Sequence, residues 1–149
     1  TLMLTETKLS QMVGRLWIGW YDRIQPAHGS TMGFPDLLLF DPAVGHLPVE
    51  LKLGHHPQTN LIRTSDLRPA QIRWHKGIAQ HGGFSAILIG VPDGKGSATI
   101  YAVNGRDCER LLTDIGIFEG VVTKIAPVEF RTALLSWVKM EKSHAKSRH

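Results

Sequence analysis

The sequence predicts an α/β fold with a mixed central β-sheet flanked by helices, and three observations carry that expectation. Apolar residues near the N-terminus recur at three- and four-residue steps. Short apolar runs bounded by Gly and Pro follow in two pairs, and a proline-initiated stretch ending in "HGG" separates the pairs. Helical and strand-like periods that alternate along one chain are the pattern of a layered α/β architecture.

The first element is an amphipathic helix from about residue 5 to 21, with Leu9, Met12, Val13, Leu16, Trp17 and Trp20 on one stripe and Pro26 ending it. "QPAHGSTMG" reads as a loop. "DLLLF" and "LPVELKL" are two short strands joined by the turn-like "DPAVGH". "GHHPQTNLIRTSD" shows no period and is expected to be a surface loop. Pro69 suits the first turn of a helix, where a missing N–H costs nothing, and Gly82 or Gly83 can cap its end. "FSAILIGV" and "ATIYAV" form a strand hairpin about "PDGKGS". Asn104 caps a short helix through Leu112, and Pro127 opens a last helix bearing Phe130, Leu134, Leu135, Trp137 and Val138. The element order is therefore α, β, β, α, β, β, α, α, in one domain over residues 1–140, with a basic, disordered tail over 141–149.

The chain has 149 residues, 42% hydrophobic and 20% charged, which is ordinary for a globular protein. No apolar run is long enough to span a bilayer, so no membrane partner is expected. The single cysteine, Cys108, excludes an internal disulfide and suits a reducing, cytoplasmic location. The net charge of +4 is unevenly placed. Lys52, Arg63, Arg68, Arg73 and Lys76 face only Asp66 over residues 52–76, and a second basic cluster closes the chain. A polyanion partner is compatible with this placement, as is a solvated tail.

The residues that carry chemistry lie in "GFPDLLLFDPAVGHLPVELKLG". Residues two apart on a strand share a face, so Glu50 and Lys52 lie side by side. A hairpin register placing Leu38 opposite Pro48 puts Asp36 opposite Glu50, with Cβ atoms roughly 5 Å apart. Two such carboxylates repel, and a hard divalent cation such as Mg²⁺ relieves that repulsion, with water and a backbone carbonyl completing its shell. The Lys52 ammonium could orient or deprotonate a water, or neutralise charge building on phosphorus. Metal plus lysine suits phosphodiester hydrolysis. The bland alternative is an E-x-K tripeptide facing solvent.

"GFPD…VELK" resembles the PD-(D/E)XK nuclease superfamily, with Asp36, Glu50 and Lys52 on its signature positions. "LRPAQIRWHKGIAQHGG" resembles the helix of the VRR-NUC branch and related phage nucleases, and places Gln71 on that branch's glutamine. "TETKLSQMV" is similar to its opening helix, with Glu6 on an early glutamate. The likeness covers roughly residues 5 to 103. It implies a restriction-endonuclease-like core in which Asp36, Glu50 and the Leu51 carbonyl bind Mg²⁺ or Mn²⁺. It further implies that Lys52 positions the attacking water, that Gln71 supports that water or the nucleic-acid backbone, and that cleavage leaves a 5′-phosphate and a 3′-hydroxyl. The implied substrate is DNA, branched or four-way-junction DNA by analogy with Holliday-junction resolvases, and the implied assembly is a homodimer. The branch's acid before G-x-P-D is missing, so Glu6 or Asp22 would replace it.

Arg63, Arg68, Arg73, His75 and Lys76 are the expected phosphate contacts, against the alternative of an ordinary wet helix face. His55 and His56 lack the partners of a zinc set. No nucleophile triad is evident. The competing classes are an inactive nuclease-fold module that binds DNA or assembles, and a structural protein self-associating through its Trp-rich helix.

Overall fold

A computed structural model describes residues 3–24, 33–64 and 67–147. The loop expected over 25–33 thus lies, apart from Gly33, outside the described residues, as do Arg148 and His149 of the tail.

Helix α1 (Glu6–Trp17) is capped by Thr5, whose hydroxyl accepts the Lys8 N–H at 3.2 Å. It stops short of residue 21 because Ile18 turns left-handed at φ 48°. Trp20 continues the apolar spacing, yet its carbonyl accepts the Trp17 indole N–H at 3.1 Å, and the chain enters a short strand, β1 (Tyr21–Arg23). Strands β2 (Leu37–Asp41) and β3 (Gly45–His55) form the expected hairpin, with Leu38 opposite Pro48. The stretch expected as an aperiodic loop instead contains β4 (Leu61–Thr64). Helix α2 (Pro69–Gln80) starts at the expected proline, and Gly83 N–H bonds the Ile78 carbonyl at its end. The hairpin of β5 (Ala86–Pro92) and β6 (Ala98–Asn104) follows, then a 3-10 helix over Gly105–Leu112 capped by Asn104. Two strands absent from the sequence reading, β7 (Ile115–Gly116) and β8 (Thr123–Ile125), precede α3 (Phe130–Ser147). That helix begins three residues beyond Pro127 and continues to Ser147, within the segment expected to fray. Glu141 anchors it, accepting from Asn104 Nδ2 at 3.3 Å and lying 4.0 Å from Arg106.

The architecture is α/β, with a mixed central sheet flanked by helices. The sheet runs β1-β2-β3-β5-β6-β8, and β3 and β5, joined through α2, are its parallel pair. Strand alternation sends β-residues to two layers. One holds Leu37, Leu39, Val49, Leu51, Ala86 and Leu88 against α1 and α3. The other holds Ile87, Ile89, Tyr101 and Val103 against α2, β4 and the 3-10 helix. Each fully buried aliphatic side chain contributes about 1.5–3 kcal/mol. No helix among the described residues is long and apolar enough to cross a membrane.

The feature that positions the site is the changing partnership along β3. Its ladder with β2 ends at Val49, and β4 joins the same strand from Gly54. Between them, Glu50 to Leu53 keep β5 on one side and leave the β2 ladder on the other.

Candidate active site

Asp36 sits one residue ahead of β2, where its N–H bonds the Val49 carbonyl at 3.0 Å. Its Oδ2 accepts the Leu51 N–H at 2.8 Å, bridging the point where the ladder has ended. A strand residue points its N–H and C=O to the same side, so the Leu51 carbonyl faces the side that carries Asp36. Gly33, three residues before Asp36, lies against α2 at φ 73°; a Cβ there would lie 2.3 Å from the Ala70 carbonyl oxygen.

Glu50 and Lys52 project from β3 into the layer under α2. Both are buried, at 1% and 5% exposure. Lys52 Nζ donates to Gln71 Oε1 at 3.0 Å, and the same oxygen accepts the Arg68 N–H at 3.0 Å. Gln71 thus ties the lysine to the first turn of α2. The sequence reading expected it on a water or the nucleic-acid backbone; at 4% exposure its oxygen is occupied by protein donors instead.

Asp36 and Glu50 share a hydrogen-bonding contact. Burial, that contact and the Glu50 charge together push Asp36 up to about 7. Burial also raises Glu50, outweighing the hydrogen bond with Asp36 and the charges of Lys52 and Arg68. Two carboxylates so placed share a proton near neutrality, or share a cation.

Asp36 and Leu51 open into a cleft of about 200 Å³, which Glu6, Thr7 and Ser10 of α1 and Arg23 and Ile24 also line. Glu6 therefore stands in the cleft, and its charge reaches Glu50. Asp22, the other acid considered, is exposed on β1 and does not line it.

Among the described residues no group of three or more His, Cys, Asp or Glu side chains is arranged to hold a metal ion. A divalent cation would rest on Asp36 and Glu50, with the Leu51 carbonyl and water for the remainder. The donors suit a hard cation in kind, all being oxygen. Glu50 Oε1 is also buried without a hydrogen-bond partner, on the side of the carboxylate that faces His75.

The expected phosphate contacts divide. Arg68 and Arg73 are exposed on α2. Arg63 is exposed but forked onto Asp114 at 2.8 and 3.0 Å, and Lys76 is paired with Glu109. His75 is fully buried, so it cannot meet a phosphate from solvent; this corrects its assignment. Burial, then the Lys52 charge, lower it to about 4, and it is neutral at pH 7. His56 bonds the Leu61 carbonyl at 2.8 Å, which fits a structural role.

Sequence reasoning passed over Arg23, Thr7, Ser10 and Ser85. Three-residue β1 carries no periodic signal that would place Arg23. Ser85 had one, since it directly precedes the strand parallel to β3 and so lies level with the Glu50 end of the site.

The molecule is thus an α/β protein in which buried Glu50, Lys52 and Gln71 adjoin half-buried Asp36 at the wall of a cleft. Compared with family models, with curated proteins and with solved structures, the chain matches none.

Proposed function

We propose that this chain is a metal-dependent DNA endonuclease with a restriction-endonuclease-like core, acting on branched DNA such as four-way junctions as a homodimer. The observation that carries the reading is the convergence of Asp36, Glu50 and Lys52 on one side of the sheet, next to a cleft that Asp36 itself lines. Structural ion pairs do not require two mutually repelling carboxylates, whereas a metal-assisted phosphodiester site uses them to hold its cation.

Asp36, Glu50 and the Leu51 carbonyl would hold Mg²⁺ or Mn²⁺, which when bound polarises a phosphoryl oxygen and makes water a better nucleophile at neutral pH. Lys52, held by Gln71, presents a fixed ammonium to the charge that develops as phosphorus is attacked. Gln71 is a positioning residue, setting Lys52 against α2. Arg23 also lines the cleft and is suited to a nonbridging phosphate oxygen, and Glu6 lines the same cleft as Asp36 and could hold water there. Branched DNA and the dimer rest on the resemblance described above.

Four-way junction, flap and linear duplex DNA, each incubated with Mg²⁺, test the proposal. Symmetric paired nicks in the junction, lost in Lys52→Ala, are expected. No cleavage of any substrate, with wild type matching Lys52→Ala, would end it. The second reading, an inactive nuclease-fold binding module, draws on the lack of a third metal-ligating side chain among the described residues. Asp36→Asn separates the two: it abolishes cutting while sparing DNA binding in an enzyme, and alters affinity alone in a binder.

A further inference from the structure

The α2 layer buries a second polar chain that the reaction outlined above leaves unused. Ser85 Oγ lies 2.7 Å from His75 Nδ1, and His75 Nε2 lies 3.8 Å from Glu50 Oε1. All three residues are buried, His75 completely. His75 Nε2 and Glu50 Oε1 are both without a hydrogen-bond partner, and they face each other. A buried polar atom left unpaired costs about 1–3 kcal/mol. Two such atoms a few tenths of an ångström beyond bonding reach define a contact that a small shift of the Glu50 side chain completes.

The chemistry sets its polarity. A neutral imidazole carries one N–H, and a serine hydroxyl can either donate or accept. A carboxylate can only accept, so a bond to Glu50 requires the proton on Nε2, and Ser85 must then donate to Nδ1. The backbone keeps this arrangement tight: a Cβ on Gly105 would lie 2.0 Å from Ser85 Oγ and 3.1 Å from His75 Nδ1. Gly105 N–H also bonds the Ser85 carbonyl at 2.8 Å.

We propose that His75 is a positioning residue for Glu50: Ser85 fixes the ring in its Nε2–H form, and that N–H holds Oε1 so that the other oxygen faces Asp36 and the cleft. Partners of this kind set the orientation and basicity of ligating carboxylates. The role toward a cation rests on the endonuclease reading; the hydrogen-bond polarity does not.

Nitrogen-15 NMR of histidine-labelled protein is the direct test. His75 is expected as the neutral Nε2–H tautomer, and an Nδ1–H tautomer or an imidazolium at pH 7 overturns the proposal. Mn²⁺ titration supplies the functional half. His75→Leu is expected to weaken Mn²⁺ about 10–100-fold, and His75→Gln, which keeps an N–H near the Nε2 position, to recover most of that loss. Equal affinity in all three proteins overturns the proposal, as does nitrogen directly bonded to Mn²⁺ in spin-echo spectra. If His75→Leu fails to fold, Ser85→Ala is titrated in its place, with a smaller loss expected and no loss counting against the idea. Should wild type bind no Mn²⁺ and cut no DNA, the endonuclease reading falls, while the tautomer still decides the contact.

Discussion

Strand β3 has two faces that obey opposite rules. Val49 and Leu51 enter the layer beneath α1 and α3, where they pack among apolar side chains and the Asp41–Arg131 ion pair lies further along β2. Glu50 and Lys52, their immediate neighbours, enter the layer beneath α2 and are buried about as deeply. On the first face burial stabilises the fold. On the second it costs free energy, because charge leaves water and must be matched by polar partners, as Gln71 matches Lys52. The lesson is a division of labour within one strand: one side stabilises the sheet, and the other uses that stability to hold groups that would separate if left to themselves.

Four experiments break or sharpen that comparison. The largest effect is on cleavage. Lys52→Met should reduce the rate by about 10²–10³-fold, the usual loss when a fixed electrostatic donor is removed, with circular dichroism unchanged; a rate within a few-fold of wild type would separate Lys52 from the chemistry. Next comes stability. Leu88→Ala, in the apolar layer, should cost about 2–5 kcal/mol in urea unfolding, whereas Glu50→Gln should raise the urea midpoint at pH 8, where the buried carboxylate is most penalised. Equal losses from the two would erase the contrast between the layers.

The third effect is pH dependence in the absence of divalent cations. Asp36, raised from 3.8 to about 7, holds its proton in the folded chain after the unfolded chain has lost it. Its contribution is complete below pH 3.8 and is lost as pH rises towards 7, and raised Glu50 acts in the same sense. His75, lowered from 6.5 to about 4, has the opposite sign: its contribution is complete above pH 6.5 and is lost as pH falls towards 4. The two oppose each other between about 4 and 6.5. In the double variant Asp36→Asn/Glu50→Gln, stability should rise with pH across that window, and in His75→Gln it should fall; matching slopes in the two would refute the assignment. The smallest effect belongs to the surface. Asp114→Ala, which releases Arg63 from an exposed ion pair, should leave the urea midpoint unchanged within error. Arg68→Ala and Arg73→Ala should weaken DNA binding and its salt dependence more than Arg63→Ala does.

Long periodic segments were legible and short ones were not. The β2–β3 and β5–β6 hairpins, α2 and the Asn104 cap follow from alternation, a proline and a side-chain acceptor. Strands β1, β4, β7 and β8 have two to four residues, too few to show a period, and they exist because a neighbouring edge pairs with them. The end of α3 was missed because its anchor is polar: Glu141 meets Asn104 and Arg106 rather than an apolar layer. The juxtaposition of Asp36, Glu50 and Lys52 was readable from register. His75 was not, since Arg68, Gln71 and His75 make a polar stripe that looks wet, and only the polar groups on β3 explain why Gln71 and His75 face inward while Arg68 stays exposed.

Gly33 has a consequence for how the site comes apart. Because its backbone lies against Ala70 and Gln71 with no room for a methyl group, the segment bearing Asp36 and the leading turn of α2 are expected to open and close together. Transient fraying of that turn would release the aspartate arm and the lysine's tether in one event. Amide exchange at Gln71 and Ile72 should therefore run in step with exchange at Leu51, whose N–H the aspartate protects.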